Sequence, residues 1–193
     1  MSELDPIARF RASYERARQS ERFDVARVAL ATADAEGRPS VRFVLMKQFD
    51  ARGFEVYTNL DSRKARELGE NPWAALAFHW DSTGEQVRIE GPVEPIAAAE
   101  SDAYFASRPR GNQLGAWASR QSAAISGRAE LEASVEAVSA RFAGREVTRP
   151  PFWGGLRVVP ERIEFWQNRD DRLHDRVLYT RVDGHWTTRL LSP

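Results

Sequence analysis

The chain's most constraining feature is a succession of short β-like runs joined by tight turns, with no helix between them. Val25 to Thr32, Val41 to Phe49 and Phe54 to Tyr57 follow one another closely. Asp34-Ala35-Glu36-Gly37-Arg38-Pro39 and Gly53 mark the turns, and such spacing is that of an antiparallel meander. Trp73 to Trp80 and Gln86 to Val93 add a hairpin across Asp81 to Gly84. After Pro150-Pro151 the chain returns to strands at Leu156–Val159, Arg162–Trp166, Leu173–Arg181 and His185–Leu190. Helical patterns fall at residues 5–20, at Ser62–Leu68, at Pro95–Ser107 and over roughly Gln113–Phe142, the last broken near Ser119–Ser126. Eight or nine strands with helices grouped between them are not the βαβ alternation of a doubly wound sheet, and no phosphate-binding glycine loop is present. The expectation is a mainly β (α+β) fold, a closed or nearly closed antiparallel barrel with flanking helices, formed by residues 1–193 as one domain.

Composition removes several classes of function. Lysines and arginines balance aspartates and glutamates at 28 each, so no global field draws the chain to nucleic acid or membrane. An anion site must therefore be a local cluster. With no cysteine and only three histidines, thiol chemistry and Fe–S clusters are out, and the histidine spacing matches no metal motif. No apolar run approaches the ~20 residues of a membrane span, and the first residues do not read as a signal peptide. The expected location is cytoplasmic.

Local clusters do exist. In Asp61-Ser62-Arg63-Lys64, Ser62 suits a helix N-cap and places Arg63 and Lys64 in the first turn. Cations there oppose the helix dipole unless an anion joins them, so the motif reads as a phosphate site or, at a small cost, as two cations pointing into water. Arg42 and Lys47 flank the apolar run Phe43-Val44-Leu45-Met46, on opposite faces of an unbroken strand. Each is either a ligand-facing cation or a snorkelling core-edge residue. Tyr104 and Arg108 are four apart on one helix face, which fits a second phosphate or an aromatic–arginine packing pair. Gln86, Gln121 and Ser122 are polar where the chain is expected to face inward. Trp166 ends a strand, as core or as the wall of a planar ligand. Beyond it, Arg172, His174 and Arg176 alternate; on a strand they share one face, a row suited to an anion or a solvated edge strand decorated with arginines.

Together these fragments resemble the pyridoxamine/pyridoxine 5′-phosphate oxidase family. The pieces are Arg42-Phe-Val-Leu-Met-Lys47, Tyr57-Thr-Asn-Leu-Asp-Ser-Arg-Lys64, Gln86-Val-Arg-Ile-Glu-Gly91, Tyr104-Phe-Ala-Ser-Arg-Pro-Arg110, Gln113 through Ser122, Pro150-Pro-Phe-Trp-Gly-Gly155, Ile163-Glu-Phe-Trp-Gln167 and Arg172-Leu-His-Asp-Arg176. The resemblance implies a split β-barrel homodimer with FMN at the subunit interface. It implies oxidation of a phosphorylated B6 vitamer to pyridoxal 5′-phosphate, with O2 as acceptor and H2O2 as product. Carried over, Arg42, Phe43, Val44, Leu45, Met46, Lys47, Tyr57, Thr58, Arg63, Lys64, Gln86, Gln121, Ser122, Trp166 and Arg176 would hold FMN. Lys47, Tyr104, Arg108, Asn112, Arg172 and His174 would hold substrate, with Arg172 and His174 orienting the donor carbon.

The chain departs from the family pattern at Asn112, where Ser is usual, and at Glu85, a carboxylate expected near the flavin edge. It also starts near Asp5 of the pattern, without the N-terminal Arg/Tyr segment that closes over substrate in some members. Competing readings are a related FMN oxidase of dihydrophenazine-like rings and a non-catalytic flavin or pyridoxal-phosphate binder. The first tends to lose Lys47, Tyr104 and Arg108; the second would not need Arg172 and His174.

Overall fold

The computed structural model describes residues 5–193, and its strands follow the expected hairpin succession. These are β1 (Arg27–Ala33), β2 (Pro39–Asp50), β3 (Gly53–Asn59), β4 (Trp73–Trp80), β5 (Glu85–Pro95), β6 (Trp153–Val158), β7 (Arg162–Gln167), β8 (Asp175–Val182) and β9 (His185–Leu191). All neighbours run antiparallel in the order β4-β1-β2-β3-β6-β5-β7-β8-β9, and β4 also pairs with β5. Six strands thus close into a barrel, and β7, β8 and β9 extend from β5 as a wing.

The branch lies in β5. Its first half holds β4 on one edge and β7 on the other, through pairs such as Gln86↔Trp166. Its last residues, Val93 to Pro95, pair instead with β6. Gly91 makes the switch: a Cβ there would stand 1.9 Å from the Val159 carbonyl oxygen. Only glycine admits a backbone that close.

Among the described residues, five α-helices flank the sheet: α1 (Pro6–Ser20), α2 (Arg63–Glu70), α3 (Ala98–Ser107), α4 (Arg110–Ala118) and α5 (Arg128–Arg141). Asp5 caps α1 by accepting from the Ile7 and Ala8 amides, and Pro6 occupies the first turn, where no N–H is needed. The helix lays Ile7, Phe10 and Ala17 into the barrel core. Phe10, fully buried, meets Phe49, Phe54 and Phe78 edge-on. Burying such a ring is worth roughly 1.5–3 kcal/mol. A second cluster of Phe105, Phe142, Val147 and Trp153 seats α3, α4 and α5 against β6. Among the described residues no helix is long and apolar enough to cross a membrane.

The structure differs from the sequence expectation at several ends. α4 begins at Arg110 rather than near Gln113, directly after Pro109, whose ring cannot continue α3. β6 begins at Trp153, because Gly154 and Gly155 pair with Thr58 and Tyr57 despite their weak strand propensity. The Leu173–Arg181 strand starts only at Asp175, since Asp170 to Arg172 form a 3-10 turn with positive φ at Asp171 (55°) and Arg172 (62°).

Candidate functional site

A cavity of about 1060 Å³ opens between β2, β3, the start of α2, the α3–α4 junction and the turn after α4. Its walls include Arg42, Phe43, Val44, Leu45, Lys47, Tyr57, Thr58, Arg63, Lys64, Tyr104, Arg108, Asn112, Gln121 and Ser122. Along β2 the side chains alternate: Val41, Phe43 and Leu45 are exposed, whereas Arg42 and Val44 are half-buried and Met46 lies in the core. The alternation runs on to the exposed Lys47, after which a register shift between Met46 and Gln48 interrupts it. Arg42 and Lys47, expected on opposite faces of an unbroken strand, both border the one cavity, which takes residues from both faces of β2.

At one end, α2 points its N-terminus at the cavity. Ser62 occupies the N-cap position as expected, but its side chain makes no capping bond to the helix. It accepts instead from Lys64 Nζ at 3.2 Å, and Thr58 Oγ1 accepts from the same ammonium at 3.1 Å. The first backbone N–H, that of Arg63, donates to Ser122 Oγ at 3.1 Å. Lys64 is buried, and among the described residues no carboxylate lies within ion-pair distance of it. Burial, and then the charge of Arg42, push its pKa down. An ammonium held this way gains most from an anion.

Glu67 gathers the two arginines of this end. Its Oε1 accepts from Arg63 Nε at 2.7 Å. Its Oε2 accepts from Ser40 Oγ at 2.6 Å, from Arg42 Nη2 at 3.3 Å and from Thr32 Oγ1. Burial alone would raise the Glu67 pKa, but hydrogen bonds from Ser40, Thr32, Arg63 and Arg42 outweigh it and hold the carboxyl at about 2.

At the other end, aromatic rings stack. Tyr57 lies 4.1 Å from Tyr104 and 5.4 Å from Trp153, centroid to centroid. The Tyr57 hydroxyl donates to the buried Glu55 at 3.2 Å, and Glu55 is itself paired with Arg157 at 2.8 Å. The Arg108 guanidinium sits 4.7 Å above the Trp153 ring, so the aromatic–arginine alternative is realised. Yet its Nη1 is buried without an acceptor. Burial pushes the Arg108 pKa down and that of Tyr104 up. Packing and ligand binding are thus compatible here, because stacking uses the face of the guanidinium and leaves its edge to donate.

The remaining expected residues, Gln86, Trp166, Arg172, His174 and Arg176, do not line this cavity. Gln86, Trp166 and Arg176 stand side by side across β5, β7 and β8. The His174 ring packs 4.4 Å from Trp166, and Arg176 Nε donates to Glu164 at 2.7 Å. Arg172 and His174 do not share a strand face with Arg176, because both precede the strand. The turn of left-handed residues presents them instead. Gln121 and Ser122 lie on an exposed turn rather than in an inward-facing element. Gln121 reaches back through Oε1 to Thr58 Oγ1 at 3.1 Å. Glu85 turns away from the cavity: its carboxylate accepts from Ser13 and Arg16, tying α1 to β5. Sequence reasoning missed Glu67, Thr32 and Ser40. The helical i,i+4 spacing of Arg63 and Glu67 was the signal available.

Two family models match the chain. Residues 19–142 match "Pyridoxamine 5'-phosphate oxidase", and residues 153–193 match "Pyridoxine 5'-phosphate oxidase C-terminal dimerisation region". A pyridoxine/pyridoxamine 5′-phosphate oxidase of Anaeromyxobacter dehalogenans is 58% identical over 98% of this chain and 96% of its own length. One from Myxococcus xanthus is 54% identical, covering 98% and 92%. Among solved structures, PhzG of Burkholderia lata, crystallised with tetrahydrophenazine-1-carboxylic acid, superposes with a TM-score of 0.90 at 34% identity, covering 100% of this chain and 94% of that one. A pyridoxamine 5′-phosphate oxidase-related, FMN-binding protein of Nostoc punctiforme, at 22% identity and a TM-score of 0.79, shares the split-barrel fold.

Proposed function

The chain belongs to the pyridoxine/pyridoxamine 5′-phosphate oxidase family, and from that premise we propose that it oxidises pyridoxamine or pyridoxine 5′-phosphate to pyridoxal 5′-phosphate with FMN and O2. The observation that carries this is the pair of cations without counter-ions at opposite ends of one cavity. Lys64, beside Arg42 and Arg63, suits the phosphate of a flavin mononucleotide, and Arg108 with Tyr104, Asn112 and Lys47 suits that of the substrate. One phosphate site would fit a flavin alone; two fit a phosphorylated cofactor and a phosphorylated substrate.

A bound flavin supplies hydride acceptance and returns the electron pair to O2 as H2O2. For the alcohol, O2 and substrate give aldehyde and H2O2; for the amine, one water is also consumed and ammonia released. The chain's own residues position the reactants. The aromatic wall of Tyr57, Tyr104 and Trp153 excludes water from the substrate end. His174 Nδ1 accepts the Arg169 N–H at 3.2 Å, so the neutral ring carries its proton on Nε2 and meets the substrate as a donor. Arg172 adds a second donor from the same turn.

The dimerisation-region match supports a homodimer. In that assembly Gln86, Trp166, Arg172, His174 and Arg176 of one copy would complete the cavity of the other. This accounts for expected site residues that lie outside the cavity of their own chain.

The phenazine-type alternative draws on the 34% identical relative. The buried, unpaired edge of Arg108 and the presence of Lys47 and Tyr104 favour a phosphorylated substrate instead. Purified protein should carry flavin absorbance and, given pyridoxamine 5′-phosphate under air, release aldehyde and peroxide together. A yellow protein that forms neither would refute the proposed reaction. Arg172→Ala and His174→Ala are expected to lower kcat by about 10²-fold or more, the usual scale for groups orienting or donating to a reacting centre, with flavin content unchanged.

A further inference from the structure

We infer that Glu67 is a positioning residue for cofactor selection: it fixes the Arg42 and Arg63 guanidinium groups so that the site discriminates flavin mononucleotide from unphosphorylated riboflavin. The inference rests on the flavin-phosphate reading of this end of the cavity. It goes further by assigning a role to a carboxylate where a phosphate site would be expected to exclude one.

The geometry is specific. Glu67 reaches from the inner face of α2 to Arg63, one turn earlier, through Oε1, and across to β1 and β2 through Oε2. Thr32 and Ser40 donate to the carboxylate while accepting from Arg42. Arg42 is thus held through three oxygens, with a further contact to the Leu30 carbonyl at 3.3 Å. Without this buttress, two long side chains would have to be ordered when the phosphate arrives, at an entropic cost that weakens binding.

Charge also balances. Arg42, Arg63 and Lys64 crowd three positive charges, and Glu67 cancels one. The net of two matches a phosphomonoester dianion near neutral pH. The cluster is therefore tolerable before the phosphate binds and complementary once it has bound. The carboxylate stays ionised across the working range, so the buttress does not switch off near neutrality.

The test is flavin affinity of the apo-protein, measured by fluorescence quenching with FMN and with riboflavin in parallel. Glu67→Gln keeps the shape and removes the charge. It should weaken FMN binding by about tenfold or more, the scale of one charge-assisted hydrogen bond, and leave riboflavin binding at its wild-type value. A general loss of fold would weaken both alike, and equal loss would overturn the inference. So would FMN binding that is unchanged or tighter. If Glu67→Gln does not fold, Glu67→Asp, which keeps the charge but withdraws it by one methylene, should show the same selective loss. Arg63→Ala run alongside separates the two levels. If it abolishes discrimination while Glu67→Gln keeps it, the positioning role alone fails. If Arg63→Ala itself discriminates like the wild type, the phosphate reading falls and the inference with it.

Discussion

Two residues show how differently the same chemistry can be legible. Arg108 was marked by its spacing from Tyr104, and the structure adds that its edge is buried and unpaired above Trp153. Arg108→Ala is expected to raise KM for the phosphorylated substrate by about 10- to 100-fold, as loss of a charge-assisted pair does, and to leave flavin content intact. Steady-state kinetics with an unphosphorylated analogue, which should be unaffected, is the check. Glu67 was not marked, because a glutamate in an exposed-looking helix is usually solvated and only the third dimension shows what surrounds it. Its folded-state pKa of about 2 lies below the ordinary 4.5. The folded protein then binds fewer protons than the unfolded chain between those values. The stability Glu67 contributes is thus complete above about pH 4.5 and lost as pH falls toward 2. Acid unfolding followed by circular dichroism should be shallower in Glu67→Gln, by about one proton in the linkage slope.

At the scale of elements, hairpins and helices were readable because period and turn chemistry are local. What failed was local as well, but of a kind that pattern hides. The sequence around Arg172 alternates as a strand does, yet Asp171 and Arg172 adopt left-handed backbone that alternation cannot reveal. The β2 register shift beside Lys47 is likewise silent in the sequence, as is the fact that residues of both β2 faces, Arg42 and Lys47 among them, line one cavity. The strand expected from Leu156 starts at Trp153, and Gly155 within it makes room for an aromatic ring. A Cβ there would stand 2.7 Å from Tyr57 Cε1 and 2.6 Å from Ile96 Cδ1. Gly155→Ala should destabilise the protein by about 1–3 kcal/mol through overpacking, read from denaturant midpoints. It should also raise KM, because the Tyr57 ring against Gly155 is displaced from the aromatic wall.

At the scale of the molecule, closure of the barrel followed from strand count, but strand order did not, since β6 inserts between β3 and β5 from far along the chain. Nor did periodicity say which surface meets a second copy. Val41 and Phe43, in the cavity wall on a well-formed strand, are 69% and 73% exposed, and Leu190 in the wing is 83% exposed; in the proposed dimer such apolar surface is a candidate for the face that a second copy covers. If the proposed dimer and its composite site hold, Phe43→Glu is expected to shift the protein to monomer in sedimentation velocity, with circular dichroism unchanged and activity lost. The placement of β6 has a consequence for biosynthesis. Phe54 faces Val158 across half the chain, so no ribosome-bound fragment ending before β6 can seal the barrel. Until β6 emerges, the edges of β3 and β5 that it joins stay unpaired and open to association with other nascent strands. The chain must be almost fully translated before Trp153 of β6 can close the aromatic end of the cavity.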